Sequence, residues 1–371
     1  MNVPMFALKE QYLNIKKEIN EALEMVMLNA HYILGPNVKK IEQDVAAYCN
    51  VKHGVGVANG SDAIHIALEA CGVGAGDEVI VPSFTFFATA GAVARAGATP
   101  VFVDIDPKTF NIDPNKIEEA VTEKTKAIIP VHLYGQMANM DPINKIAQKY
   151  GLFVIEDAAQ AIGAEYKGKR AGELGTATTF SFFPTKNLGA YGDAGMIVTD
   201  NAELAEKMTM FRTHGSKPKY FHHVLGYNSR LDELQAAILN VKFRYLEEWT
   251  RKRCEKAMNY TQLLNEELGE KIVTPFISND CSHIFHQYTI RVQKRDELHQ
   301  FLKENGIETI VYYPMPLHLQ PVFKDLGYKE GDLPETEKAA KEAISLPMFP
   351  ELTEEEQYYV VSKLKEFYHK N

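Results

Sequence analysis

A lysine lodged between an apolar run and a glycine cluster is the strongest chemical signal in the chain. The segment reads Phe180-Ser181-Phe182-Phe183-Pro184-Thr185-Lys186-Asn187-Leu188-Gly189, with Gly192-Asp193-Ala194-Gly195 just after it. Just beyond a buried strand, a lysine is placed for desolvation, which lowers an ammonium pKa and yields the neutral amine that attacks a carbonyl. A surface lysine in a glycine-rich loop would fit the same residues. A second segment, Val154-Ile155-Glu156-Asp157-Ala158-Ala159-Gln160, closes an apolar strand with two acids and an amide. Asp157 falls where the chain is expected to turn into a helix. It reads either as an N-cap or as a carboxylate for a protonated pyridine nitrogen. At a strand-to-helix turn, Asn59-Gly60-Ser61-Asp62 offers backbone N–H groups to a phosphate, though a plain cap explains it equally well. Finally, Pro82-Ser83-Phe84-Thr85-Phe86-Phe87 places aromatics directly after a strand, where they serve as core or as a face for a planar ring.

These segments can cooperate only if one edge of a fold collects them. Gly54–Val57, Glu78–Pro82, Thr99–Asp104, Ala127–Val131, Leu152–Glu156, Thr178–Phe182 and Ala194–Thr199 read as strands made of nearly continuous apolar runs. Between them lie helical stretches over Ala63–Cys71, Ala88–Ala96, Pro114–Ala120 and Met140–Tyr150. Alternation of this kind predicts an α/β protein whose sheet is covered on both faces, with ligands beyond the carboxyl ends of the strands. Ahead of it, Leu8–Val26 and Asn37–Tyr48 read as helices separated by His31–Pro36. After about residue 240 the texture changes to one long charged helix (Leu239–Leu268), a strand (His286–Val292), a helix (Asp296–Asn305), a Pro-punctuated loop (Tyr313–Pro321) and two terminal helices. The expected division is a large domain over residues 1–240 and a smaller α+β domain over 241–371.

Composition narrows the chemistry. The 371 residues carry 40 Lys+Arg against 49 Asp+Glu, a net charge of −9, with 45% hydrophobic residues. The acidic balance argues against nucleic-acid binding and a polybasic membrane anchor. No apolar run approaches the roughly 18 residues of a membrane span, and Met1–Glu10 lacks the pattern of a signal peptide. Cys49, Cys71, Cys254 and Cys281 lie far apart, which argues against a disulfide scaffold or a structural metal site and for a reducing, cytoplasmic setting. There is no G-x-x-x-x-G-K-[ST], H-E-x-x-H or G-x-S-x-G. Gly72-Val73-Gly74-Ala75-Gly76 follows a helix, not a strand, and so is rejected as a dinucleotide loop. A phosphate cup, a stacking face, a carboxylate and a lysine, all after strands, match the needs of pyridoxal 5'-phosphate.

The succession Gly60-Ser61-Asp62-Ala63, Asp77–Pro82, Glu156–Gln160 and Phe180–Gly189 resembles the DegT/DnrJ/EryC1 family of nucleotide-sugar aminotransferases, from about Val3 to past His318. The resemblance implies fold type I, the aspartate-aminotransferase fold: a mixed, largely parallel sheet flanked by helices, plus a small carboxyl-terminal domain. It also implies pyridoxal 5'-phosphate and homodimers with shared active sites. Lys186 matches the lysine that forms a Schiff base with the cofactor, Asp157 the acid at the pyridine nitrogen, and Gln160 a residue near the phenolic oxygen. Phe86 holds the stacking position, more often Trp or Tyr in relatives. Gly60, Ser61 and Ser181 match phosphate contacts, and Asn228 an asparagine reaching the neighbouring subunit's cofactor. Tyr313-Pro314 and Pro316-Leu317-His318 resemble a loop that approaches the sugar nucleotide. His222, His223 and His318 read equally well as exposed loop histidines.

Finer likeness, in His132–Gly135, Lys219-Tyr220-Phe221-His222-His223 and Asn228–Ala237, is to the branch acting on 3-keto sugars, with Tyr220 a further substrate candidate. The implied reaction moves an amino group from L-glutamate to the C3 keto group of a dTDP-3-keto-6-deoxyhexose. The alternatives are a 4-keto nucleotide-sugar aminotransferase, a non-catalytic cofactor-binding sensor, and a cofactor-free lysine aldolase.

Overall fold

Strands made of continuous apolar runs must be covered on both faces, and the computed structural model, which describes residues 1–370, shows what covers them. The chain opens with helices α1 (Leu8–Asn29) and α2 (Pro36–Tyr48). It then alternates through β1 (His53–Val57), α3 (Gly60–Ala70), β2 (Glu78–Pro82), α4 (Ala88–Arg95), β3 (Thr99–Val103), α5 (Pro114–Ile117), β4 (Thr125–Ile128), α6 (Met140–Tyr150) and β5 (Phe153–Asp157). Two short strands, β6 (Glu165–Tyr166) and β7 (Lys169–Arg170), precede β8 (Ala177–Ser181), β9 (Gly195–Thr199), α7 (Ala202–Phe211) and α8 (Glu233–Phe243). The rest comprises α9 (Leu246–Leu268), β10 (Ile272–Val273), β11 (Tyr288–Val292), α10 (Arg295–Glu304), α11 (Pro334–Glu342), β12 (Ala343–Leu346) and α12 (Glu354–Lys370).

The large sheet has the order β1-β9-β8-β5-β4-β2-β3. β9 runs antiparallel to both of its neighbours, and the other pairings are parallel. Side chains on β2 alternate between two cores: Ile80 packs with Val38, Ile41, Ile143 and Leu239. Val79 and Val81 pack with Ile64, Leu68, Val93 and Leu204 on the other face. A smaller antiparallel sheet, β10-β11-β12, is covered by Tyr260, Leu264, Leu298, Leu302, Val360 and Leu364. No helix among the described residues is long and apolar enough to cross a membrane.

Two expectations need correction. The single helix over Leu239–Leu268 is two, with a break at Arg244–Tyr245. α8 buries Leu239 in the large body, and α9 begins there with Leu246 and runs on to bury Tyr260 and Leu264 in the small one. Arg244 and Tyr245 at the break both bond Glu18 of α1. No helix follows β5, whose next residues are turns, so Asp157 is the last residue of a strand and not an N-cap. The chain also crosses between the bodies outside the 240/241 boundary. Val3 pairs with Ile307, and Leu317 and Phe323 pack into the core of the large body.

Candidate active site

Parallel strands deliver their carboxyl ends to one edge, and a cavity of about 600 Å3 opens there. It is built from the turns after β1, β2, β5 and β8, closed by the 286–287 and 310–313 segments of the small body.

One corner of the cavity comes from the β1–α3 turn. Asn59 caps α3 by accepting the Asp62 N–H at 2.8 Å, while Gly60 and Ser61, the first two helical residues, line the cavity. Glycine is required by close approach: a Cβ at Gly60 would lie 2.6 Å from the Ser181 Cβ. An anion at a helix N-terminus gains both from the free N–H groups and from the helix dipole. Gly60→Ala should therefore weaken cofactor binding by tenfold or more, on the order of 1.4 kcal/mol, read by fluorescence titration with pyridoxal 5'-phosphate. An unchanged Kd would show that the corner is not the anchor.

β5 ends on two acids whose roles diverge because neighbouring side chains on a strand point to opposite faces. Glu156 is fully buried and accepts from Leu174 N–H (3.2 Å), Gly175 N–H (2.6 Å) and the Thr178 hydroxyl (2.8 Å), and its other oxygen pairs with His132 Nε2 at 2.8 Å. Glu156→Ala would strand all of these partners, with an expected loss of about 3–5 kcal/mol, measurable by denaturant unfolding; a loss below about 1 kcal/mol would contradict that structural role.

Asp157 turns into the cavity. Its carboxylate accepts the Thr89 hydroxyl at 2.7 Å and the Ala159 N–H at 3.2 Å. Burial pushes its pKa up; the Thr89 and Ala159 bonds and the nearby positive charge of Lys186 oppose that shift. Lys186, half-buried, lines the same cavity. Desolvation pushes its ammonium from 10.5 down to about 8, against the upward pull of Asp157. Cofactor-free protein treated with acetic anhydride should therefore acylate at Lys186 with a midpoint near pH 8, the neutral amine being the reactive form. A midpoint at the ordinary lysine value would contradict the desolvation.

Gln160 accepts the Tyr134 N–H at 2.6 Å and donates to the Tyr313 hydroxyl at 3.3 Å. Phe86 is 57% exposed, its ring centroid 6.3 Å from that of Tyr313. The structure thus brings Gly60, Ser61, Phe86, Asp157, Gln160, Ser181, Lys186 and Tyr313 to one cavity.

It does not bring Asn228, Tyr220 or His318 there. Asn228 is exposed and pairs with Thr213, and Tyr220 is 78% exposed. His318 is neither an exposed loop histidine nor a lining residue. It is buried, with Nδ1 2.7 Å from Ser83 Oγ and Nε2 3.3 Å from Glu337 Oε1, and so ties its loop to the end of β2. His222 and His223 are exposed, as that reading had it.

Sequence reasoning missed Thr89, which lies 68 residues from the carboxylate it serves, and the buried pair Asn187–His286. Neither has a spacing signal, since folding alone creates the contact.

These residues fit pyridoxal 5'-phosphate: a glycine cradle that a Cβ would fill, a buried carboxylate, an exposed ring and a desolvated amine. The architecture is that of a fold type I aminotransferase. A solved structure of Streptomyces venezuelae DesV, in complex with a ketimine intermediate, superposes with a TM-score of 0.96 at 41% identity, covering 99% of this chain and 98% of that one. A Bacillus subtilis relative with bound PMP has a TM-score of 0.92 at 38% identity, covering 98% and 85%.

Residues 13–365 match the DegT/DnrJ/EryC1/StrS aminotransferase family, and the chain belongs to it. It is 69% identical over 368 residues to a "pleiotropic regulatory protein" of Geobacillus stearothermophilus, covering 99% of each chain. It is 48% identical to a UDP-2-acetamido-2-deoxy-3-oxo-D-glucuronate aminotransferase of Pseudomonas aeruginosa (93% and 94% covered). With a dTDP-3-amino-3,6-dideoxy-alpha-D-galactopyranose transaminase of Aneurinibacillus thermoaerophilus the identity is 44% (98% and 99% covered).

Proposed function

We propose that the chain is a pyridoxal-phosphate-dependent aminotransferase. It takes the amino group of L-glutamate and delivers it to the C3 keto group of a dTDP-3-keto-6-deoxyhexose, giving a dTDP-3-amino-3,6-dideoxyhexose. The observation that carries the reading is Lys186, an amine whose pKa burial pushes down to about 8, in a cavity it shares with Asp157. The cofactor, when bound, supplies the electron sink that makes a proton on Cα of the donor removable.

The chain's own residues do the rest. With the cofactor bound, Gly60, Ser61 and Ser181 would hold its phosphate and Phe86 would cover its ring. Asp157 would keep a proton at the pyridine nitrogen, and Gln160 would lie near the phenolic oxygen. Lys186 Nζ takes the proton from Cα of glutamate, and in the second half of a ping-pong cycle it returns one at C3 of the sugar. Only the neutral amine can accept it, and burial, by pushing the ammonium down to about 8, brings that form within reach. Homodimerisation would bring Asn228 and Tyr220, exposed here, to a neighbouring site.

The C3 assignment draws support from His132–Gly135 and Asn228–Ala237, and from the 3-oxo and 3-amino sugars in two relatives' names. The first of these also favours a second reading with UDP as the nucleotide. The 69%-identical regulatory protein favours a third, a sensor that keeps the cavity without turnover.

One assay separates them: incubation with L-glutamate and, separately, 3-keto dTDP-, 4-keto dTDP- and 3-keto UDP-sugars, with the position of nitrogen read by NMR. Amination at C3 of the dTDP sugar is expected. Amination at C4, or only of the UDP sugar, overturns the assignment, and a cofactor-loaded protein that aminates none of them is the sensor.

A further inference from the structure

The proposed mechanism uses Lys186 but leaves unexplained a buried polar pair next to it. Asn187 is 6% exposed and His286 4%, and their side chains meet with Nδ1 of the imidazole 3.0 Å from Oδ1 of the amide. Asn187 Nδ2 donates to the Ile284 carbonyl at 3.4 Å, so Oδ1 is left to accept. His286 Nδ1 therefore carries the hydrogen, and Nε2 keeps its lone pair on a neutral ring that lines the cavity.

The segment bearing His286 is fixed from several sides. Arg253 of α9 donates to the carbonyls of Phe285 (3.2 Å), His286 (3.3 Å) and Met348 (2.9 Å). Ile284 N–H reaches the Gly135 carbonyl at 2.9 Å. Gly135 has φ +109, and a Cβ there would lie 2.8 Å from Ile284 Cγ1 and 3.0 Å from the His286 nitrogen, so only glycine allows the approach. The wall at 284–286 is thus rigid and belongs to the chain entering the small body. The loop bearing Lys186, by contrast, is a turn closed by its N–H to the Phe183 carbonyl at 2.8 Å.

We propose that Asn187 and His286 are positioning residues for Lys186: their hydrogen bond fastens the lysine's loop to the wall held by Arg253 and fixes where Nζ sits relative to Asp157. Burying two polar side chains for packing alone would be unfavourable against an apolar pair of the same shape. The bond's effect is directional: it sets the trajectory of the residue next in sequence, where errors near 1 Å are worth about 10²-fold in rate.

The inference rests on reading Lys186 as the reacting amine. Its test compares the holoprotein with Asn187→Ala, His286→Phe, the double variant and His286→Gln, which retains a donor for Asn187. Single turnover with L-glutamate, KM, the induced circular dichroism of the bound cofactor and Tm are measured for each. Each single variant should slow the glutamate half-reaction by about 10–100-fold with KM changed less than about twofold. The double variant should be no slower than the slower single. The dichroic band should change in all three, and His286→Gln should recover most of the rate. Unchanged rates, losses that multiply in the double variant, or losses that only follow Tm would overturn the inference. A wild-type protein whose band ignores glutamate would remove the reading of Lys186 as well; a responsive wild type with unaffected variants would remove this inference alone.

Discussion

Lys186→Ala should end transamination, with kcat down by about 10⁴-fold or more, while pyridoxal 5'-phosphate still binds, though more weakly. The separation follows from the site's construction. The amine arrives on the loop after β8, whereas the corner that would take the phosphate is lined by Gly60, Ser61 and Ser181, and the part of the cavity that would take the ring by Phe86 and Asp157. Removing the amine deletes the group that moves the proton and leaves those contacts in place. No other lysine lines the cavity among the described residues. Stopped-flow mixing of the variant with L-glutamate checks this; a rate within about tenfold of wild type would show that another group moves the proton.

The second large effect is expected at Asp157. Asp157→Asn preserves shape and can still meet the Thr89 hydroxyl, but a neutral amide cannot stabilise a proton on the pyridine nitrogen. A loss of about 10³-fold in kcat should result, with little change in cofactor affinity. Burial pushes the Asp157 pKa up, while Thr89, Ala159 and Lys186 hold it down. The carboxylate therefore depends on those partners for its charge, and Thr89→Val should shift the acid limb of the pH–rate profile upward. A loss under about tenfold for Asp157→Asn would reduce the residue to a structural strand end.

Much of this architecture was legible in the residue pattern because its signals are local. Continuous apolar runs such as Val79–Val81 mark strands buried on both faces, and chemistry after such strands falls at one edge by topology. Lys186, Asp157, Gly60 and Phe86 could be found for that reason. What stayed hidden depends on contacts between distant segments. The helix expected over Leu239–Leu268 has no proline or glycine at its break, where Arg244 and Tyr245 instead bond Glu18, remote in sequence, on α1. Glu156 and Asp157 look alike in sequence, and only the strand's alternation sends one to His132 and the other to the cavity. His318 reads either as a substrate-loop residue or as an exposed loop histidine, and only the fold shows it closed in by Glu337 and by Ser83, which is remote in sequence.

The most direct measurement is chemical trapping at one side chain. Protein loaded with pyridoxal 5'-phosphate is treated with borohydride, digested, and the labelled peptide sequenced by mass spectrometry. The account predicts a visible absorption band, bleached by the reductant, with the whole phosphopyridoxyl mass on Lys186. A protein that takes up no colour, or a label on any other lysine, would contradict it.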